Sequence, residues 1–370
     1  MGMSKMGRIL LSASLLAIGA GSAVAGGIER SAPSVAILFE DGNYVEFSLG
    51  AVDPDVQGTF LGAIGSGDMA QGYGAYTLGY KYAINEKLDL AITLDQPVGA
   101  RVSYPISAAP YPFAGATAEV DSQALTALLR YKLPSHLSLI GGIRLEEASG
   151  VVGIPSIGGY TMSTDTDRSV GYVLGVAWEK PEIAARVALT YFSEITHELA
   201  AQEQFTGMPA AVATTFETVI PQSVMLDFQT GVAADTLLFG SIRWTDWSEF
   251  DITPPLFAGA PCGLGPCGSL ADVTTDSTTY TLGLGRKFNE QWSGAIVLAY
   301  EGDGGVPVGN LGPTDGYKSI GLAATYTLDS MKITAGVRYI EIGDATTTSI
   351  GSQFTDNSGV AAGLRIGYTF

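Results

Sequence analysis

Six arginines, Arg130, Arg144, Arg186, Arg243, Arg338 and Arg365, stand in stretches where apolar residues alternate with small or polar ones, and all six fall on the small, polar side. A guanidinium presents a rigid fork of N–H donors that grips carboxylates in pairs. Such a set can hold the acidic head of a ligand. It can equally pair with acids on the same face, such as Glu46, Asp89 and Asp227, because a charge left unpaired in apolar surroundings is costly. Two apolar clusters offer the rest of a ligand site. Val35, Ile37, Leu38 and Phe39 crowd a segment near the start, and Tyr104-Pro-Ile-Ser-Ala-Ala-Pro-Tyr-Pro-Phe113, with Tyr104, Tyr111 and Phe113 as its rings, is too greasy for an ordinary solvent loop. Catalysis has no such foothold. The chain has no Gly-x-Ser-x-Gly elbow, and neither His136 nor His197 stands in a nucleophile pattern. Gly62-Ala-Ile-Gly-Ser-Gly67 has the glycines of a phosphate loop without a helical pattern after it, and acid pairs such as Asp165 with Asp167 read as solvated loop charge. No enzyme and no cofactor is expected.

The first 25 residues read as a secretory signal: Lys5 and Arg8 lead an apolar run from Ile9 to about Ala20, and Ala23-Val24-Ala25 is a small-residue cleavage site. That run is short of the roughly 20 residues a spanning helix needs, and every later apolar run is broken within a few residues by Gly, Thr, Asp or Arg. Any membrane crossing must therefore use strands. Charged residues make up 15% of the chain against roughly 25% in a soluble domain, which suits a surface facing lipid. A net charge of −18 makes nucleic acid an unsuitable partner. In an exported chain Cys262 and Cys267, within the turn-rich Pro261-Cys-Gly-Leu-Gly-Pro-Cys-Gly268, are expected to close a disulfide that pins an exposed loop. Zinc would need more ligands than two distant histidines supply, so no metal is expected.

The elements that position these residues show in the period. From Asn43 onward the pattern repeats every second residue, the mark of strands whose faces meet different surroundings. Near the end Val360, Leu364, Ile366, Tyr368 and Phe370 share one face, while Gly363, Arg365, Gly367 and Thr369 share the other. A soluble sandwich also alternates, but its outer face carries Lys and Glu; here the polar face is Gly, Ala, Ser and Thr with an occasional Arg. Six short turns punctuate the chain, at Asn85-Glu-Lys87, Pro134-Ser-His136, Lys180-Pro-Glu182, Ala233-Ala-Asp-Thr236, Asn289-Glu-Gln291 and Leu328-Asp-Ser330. Between them lie seven longer Gly-, Pro-, Thr- and Asp-rich segments, near residues 65, 108, 157, 208, 262, 308 and 350. Seven hairpins of strands about 12 residues long give about fourteen strands, with short turns on one side and long loops on the other. Aromatics beside the short turns (Tyr80, Trp178, Trp292, Tyr368) and toward the long loops (Tyr191, Trp244, Trp247, Tyr300) suggest two girdles at the headgroup levels. The terminal Phe370 resembles the signal read by the barrel-assembly machinery.

Several stretches resemble the FadL-type outer-membrane transporters of long-chain fatty acids and other hydrophobic compounds. Phe47-Ser-Leu-Gly-Ala-Val-Asp-Pro-Asp-Val56 is similar to that family's first strand, and Tyr76-Thr-Leu-Gly-Tyr-Lys81 to its second. Pro221-Gln-Ser-Val-Met-Leu226 and Ser241-Ile-Arg-Trp-Thr-Asp-Trp-Ser-Glu-Phe250 resemble its Pro-containing strand start and its Trp-x-x-Trp-Ser-x-Phe element, and Tyr280-Thr-Leu-Gly-Leu-Gly285 with Trp292 continues the likeness. The resemblance implies an all-β protein: a monomeric transmembrane antiparallel β-barrel of fourteen strands, residues 43–370, plugged by an N-terminal hatch, residues 26–42. It further implies passive passage of hydrophobic small molecules, fatty acids or hydrocarbons, with release sideways into the membrane. Outer-membrane lipid, lipopolysaccharide and the assembly machinery would be its partners. The family's Asn-Pro-Ala sequence is absent and little chain precedes the first strand, so the hatch must be small, with residues 28–41 folding inward. On this reading Phe39, Tyr104, Tyr111, Phe113 and the six arginines are candidate ligand contacts. The rival is a general porin for small polar solutes, which calls for a charged constriction and a trimer and has no use for an apolar N-terminal segment.

Overall fold

Alternation along the chain becomes a closed wall. The computed structural model describes residues 28–262 and 265–370; the expected signal segment, residues 1–25, lies outside the described residues. Fourteen strands form the wall: β1 (Tyr44–Asp55), β2 (Tyr73–Asn85), β3 (Leu88–Asp95), β4 (Thr117–Lys132), β5 (Leu137–Ile154), β6 (Asp167–Lys180) and β7 (Ala185–Phe192), then β8 (Ser223–Ala233), β9 (Thr236–Thr245), β10 (Ser277–Lys287), β11 (Trp292–Glu301), β12 (Tyr317–Leu328), β13 (Met331–Ile342) and β14 (Ser358–Thr369). Each pairs antiparallel with its neighbours. The ring closes at β1, which pairs with β2 on one side and, from Tyr44↔Thr369 to Asp55↔Ser358, with β14 on the other. Closure leaves no free edge, which is what lipid demands of backbone N–H and C=O groups.

The six short turns fall where the sequence places them. Four of them hold a left-handed residue, His136, Ala184, Asp235 and Asp329, at the point where the chain reverses. Outward faces carry the large apolar side chains, such as Leu174 at 54% exposure and Val360 at 53%, a liability in water and a fit to lipid. Inward faces carry Gly, Ala, Ser and Thr, with the buried charges among them.

Three features depart from expectation. Strands β3 and β7 have only 8 residues each rather than about 12. β3 breaks at residues 96–98, where Pro97 has no N–H to donate, and the chain rejoins the wall at Gly99–Ser103. β7 breaks at Ser193 and Glu194; Phe192 and Ile195 both turn inward, so the alternation changes phase, and the hairpin Ile195–Gln204 with Val212–Ile220 extends beyond the wall. Trp247 is not a girdle residue: the turn Trp247–Glu249 swings it inward, 2% exposed, against Ile28, Val98 and Phe250.

The long loops fold over the outer end as a packed cap. Glu203 is the polar centre of one part, accepting from Tyr160 Oη (2.8 Å), Leu256 N (3.2 Å) and Phe257 N (2.9 Å). Cys262 and Cys267 are bonded to each other in the loop after β9, as expected.

Candidate functional site

The lumen is occupied by a segment of the chain that precedes the first strand. Residues 28–42 run down its interior, and Val35, Ile37 and Leu38 are buried against Leu128, Ile140, Val173 and Phe192 of the wall. Burying each such side chain stabilises by roughly 1.5–3 kcal/mol, which explains why so apolar a segment does not trail in water. At its upper end the segment joins the break in β3: Gly99 N donates to Ile28 O (2.8 Å) and Arg30 N to Pro97 O (2.9 Å). A side chain at Gly99 would run into the Arg30 guanidinium, which packs directly over this glycine.

Charge fixes the segment at several levels. Glu29 pairs with Arg243, Arg30 with Asp121 (3.4 Å), and the Ser31 hydroxyl donates to Asp95 (3.1 Å). Lower down, Arg130 donates to Leu38 O (3.2 Å) and Lys81 Nζ to Gly42 O (2.8 Å), and Lys332 lies 3.9 Å from Glu40.

Between this segment and strands β1, β2, β7, β8 and β14 lies a cavity of about 180 Å³. Val35, Ile37, Phe39 and Met225 give it an apolar wall; Arg186, Arg365, Glu46, Asp95 and Asp227 give it a polar one. A second cavity, of about 80 Å³, lies toward the cap and is almost wholly apolar, with Ile28, Val98, Val152, Met162, Phe216 and Phe250 on its walls. Val98 sits behind the β3 break and Ile28 heads the N-terminal segment, so that segment separates the two spaces.

The six arginines all face inward, as alternation requires, but their situations differ. Arg130 is committed to Asp89 (3.9 Å), Glu179, Ser138 and Leu38 O; Arg144 pairs with Glu146 (3.1 Å), Arg243 with Glu29, and Arg365 with Glu46 (3.7 Å). Arg186 and Arg338 have no carboxylate within ion-pair distance among the described residues, and of these two only Arg186 lines a cavity. Its guanidinium lies 4.3 Å from the centre of the Phe39 ring, whose other cationic neighbour is Arg130 at 4.4 Å. Phe39 thus carries two cation–π contacts, and the outer rim of the Arg186 fork is left to the cavity.

Tyr104, Tyr111 and Phe113 do not join this site. They are buried in the cap, Tyr104 stacked on Tyr111 and tilted against Phe113, with Tyr104 Oη donating to Asn310 O (2.6 Å) and Tyr111 Oη to Ser352 Oγ (3.1 Å). Burial pushes both phenols up, so they remain neutral donors. The greasy loop is therefore packing for the cap rather than a surface open to solvent, although Ile106 at its tip is 80% exposed. His197 is fully buried, its Nδ1 2.8 Å from Asp167, which accounts for that residue structurally. Glu29, Arg30, Asp95 and Met225 were not singled out from the sequence. Alternation could have flagged the last two; the first two stand in a segment without a period.

The closed wall, the lipid-facing leucines and a lumen filled by an inward-folded N-terminus define a transmembrane β-barrel transport protein. The chain belongs to the outer membrane protein transport protein family (OMPP1/FadL/TodX), whose sequence profile matches residues 40–303. No curated protein matches it by sequence. Among solved structures it is similar in fold to a Pseudomonas aeruginosa FadL homologue, with 16% identity, a TM-score of 0.75 and coverage of 90% of this chain and 92% of that one. The Pseudomonas putida toluene transporter TodX is 12% identical, with a TM-score of 0.63 over 94% of this chain and 97% of that one. The Ralstonia pickettii toluene transporter TbuX gives 12%, 0.63, 90% and 91%.

Proposed function

We propose that this barrel is a passive outer-membrane channel for hydrophobic molecules, long-chain fatty acids foremost, which leave the lumen sideways into the bilayer. The observation that carries the reading is the lumen cavity: an apolar wall of Val35, Ile37, Phe39 and Met225 beside a guanidinium, that of Arg186, with no carboxylate in ion-pair contact among the described residues. An acyl chain suits the first and a carboxylate the second. The apolar cavity beneath the cap is a natural earlier resting place on the inward path. Two of the similar structures are toluene transporters, which supports an apolar cargo.

Sideways release is supported by the N-terminal segment, which stands across the axial route and is tied down near the lower rim by Arg130 and Lys81. We take residues 26–42 as the hatch and residues 1–25 as its cleaved signal. Arg130 and Arg243 then hold hatch and wall together, Arg144 and Arg365 brace the wall itself, and Phe39 and Arg186 contact ligand. The barrel works as a monomer among outer-membrane lipid and lipopolysaccharide, and Phe370 guides its assembly. A porin would spend its inward charges on solute, whereas here Arg130, Arg144, Arg243 and Arg365 are matched to acids.

Mass spectrometry of small molecules that co-purify with protein extracted in a mild, non-lipidic detergent tests the reading. Stoichiometric fatty acid is the expected finding; protein that neither retains nor takes up added fatty acid refutes it.

A further inference from the structure

The break at the end of β7 leaves a wedge on the outer surface of the barrel. Pairing of β6 with β7 ends at Val173↔Phe192, and one step on Ser193 stands in for the ladder: its N–H donates to Tyr172 O (3.0 Å) and its Oγ accepts from Tyr172 N (2.9 Å). Among the described residues no ladder joins 168–171 to the hairpin Ile195–Gln204, and beyond them Asp165 N donates to Ala200 O (2.9 Å). Successive residues of a strand turn their N–H and C=O groups to alternate sides. Val170 therefore aims both of its groups, as Tyr172 does, into the strip between β6 and the hairpin. His197 Nδ1 meets Asp167 Oδ2 at 2.8 Å across the same strip and bridges it on the lumen side.

Outward, the strip widens into an open cleft of about 570 Å³ lined by Val170, Tyr172, Tyr191, Glu194, Thr196 and Gln222. That size falls within the roughly 300–1,000 Å³ of small-molecule sites. Its neighbours fix its height in the wall. Below it Leu174 and Leu189 face lipid; above it, on the same outward face, Arg168 and Glu147 form an exposed ion pair at 2.6 Å. Charges on the outer face belong at or beyond the edge of the hydrocarbon, so the cleft stands at the outer headgroup level. Its chemistry selects among the groups found there. Among the described residues that line it there is no Lys, Arg or His, and Glu194 is an exposed carboxylate, so a phosphate is repelled. The rings of Tyr172 and Tyr191 lie 5.8 Å apart, and Tyr191 is held by donating to Gln222 Oε1 (2.8 Å), whose Nε2 donates in turn to Asp246 (2.9 Å). Two aromatic faces suit the C–H face of a sugar ring; a carboxylate, the Thr196 hydroxyl and the Val170 backbone pair suit its hydroxyls. We infer that this cleft docks a neutral sugar ring of the lipopolysaccharide that surrounds the barrel. The site lies on the outer rim, and it stands or falls independently of what the lumen carries.

Hydrogen exchange of the purified barrel in a detergent without a sugar headgroup provides the test. Added rough lipopolysaccharide should slow the amides of residues 168–171 and 194–198 by about fivefold or more, the effect of giving an open backbone pair a partner, and leave the short turns unchanged. Phosphatidylglycerol at the same mole ratio should slow neither segment; equal slowing by the phospholipid overturns the sugar assignment. Oligosaccharide released from the same lipopolysaccharide by mild acid should need about a hundredfold higher concentration, because no acyl chains hold it at the wall. Equal potency of the free oligosaccharide overturns the glycolipid as the source. Tyr172→Ala with Tyr191→Ala should weaken the lipopolysaccharide effect about tenfold. Tyr300→Ala with Tyr339→Ala, on other strands toward the long loops, should leave it unchanged. Lipopolysaccharide that slows neither segment in the wild-type protein overturns the docking site whatever the variants do.

Discussion

Replacing Arg186 by glutamine separates the two halves of the proposed ligand site. In the structure this guanidinium stacks on Phe39 at 4.3 Å, lines the cavity of about 180 Å³, and has no carboxylate in ion-pair contact among the described residues. A hydrogen bond to a charged group is worth roughly 1.5–3 kcal/mol, which is about 13- to 160-fold in affinity. Arg186 also feels Asp227 and Glu40 at longer range, so part of its charge is already balanced and the lower end applies. The expected loss for a long-chain fatty acid is about tenfold. A neutral hydrocarbon of similar length, held by Val35, Ile37 and Met225 alone, should lose less than about twofold, because glutamine keeps most of the aliphatic stem. Isothermal titration of the purified protein with both ligands measures the split. Equal losses for acid and hydrocarbon, or none for the acid, would show that the carboxylate does not meet Arg186.

Other perturbations follow from the same contacts. Arg243→Met strands Glu29, whose side chain is 5% exposed, and breaking such a buried pair costs about 3–5 kcal/mol; hydrogen exchange over residues 28–39 should quicken, and adding Glu29→Gln should reverse most of it. Gly283→Leu drives a side chain into the Phe239 ring, which is fully buried, so overpacking of about 1–3 kcal/mol should lower the temperature at which the barrel loses its heat-resistant gel mobility, and Phe239→Ala in the same chain should recover it. Asp276 lies at the foot of the disulfide-bearing loop. Slight burial raises its carboxyl, but bonds from the Ser248 side chain and backbone, with Trp244 Nε1, outweigh that and hold it below the usual carboxylate range. Its folded value is depressed, so its contribution is complete above the unfolded value of about 3.9 and is lost as pH falls through the folded one. Acid protease should then nick residues 246–276 only below about pH 4, whereas Asp276→Asn should open them to a neutral protease at pH 7.

The wall was legible because lipid on one side and a packed lumen on the other impose the same period on every strand. Residues such as Leu364 and Arg365 announce their faces by parity alone, and the turns announce themselves by Asn, Asp and Pro. Parity also placed all six arginines inward. It could not say which were already matched: Arg365 with Glu46 is a neighbour-strand pair, but Arg243 meets Glu29, more than 200 residues away along the chain, through the inward course of the N-terminal segment. Phe39 was noticed for its greasiness, and its place between two guanidinium groups depends on the same course. The breaks in β3 and β7 were hidden for another reason. A bulge changes the phase of alternation within two or three residues, too few for a period to register, and Pro97 reads equally well as a loop residue. Tyr104, Tyr111 and Phe113 misled because rings in a loop look like a docking surface whenever the other loops that bury them cannot be seen.

Reconstituted barrels in vesicles with lipopolysaccharide in the outer leaflet offer the most direct comparison of cargo against water. Fatty-acid entry and ion conductance are followed on the same preparation. Protein-dependent entry of fatty acid with no large, steady ion current is the expected result, since the N-terminal segment stands in the axial route. A steady ohmic current with fatty-acid entry no faster than in protein-free vesicles would contradict it.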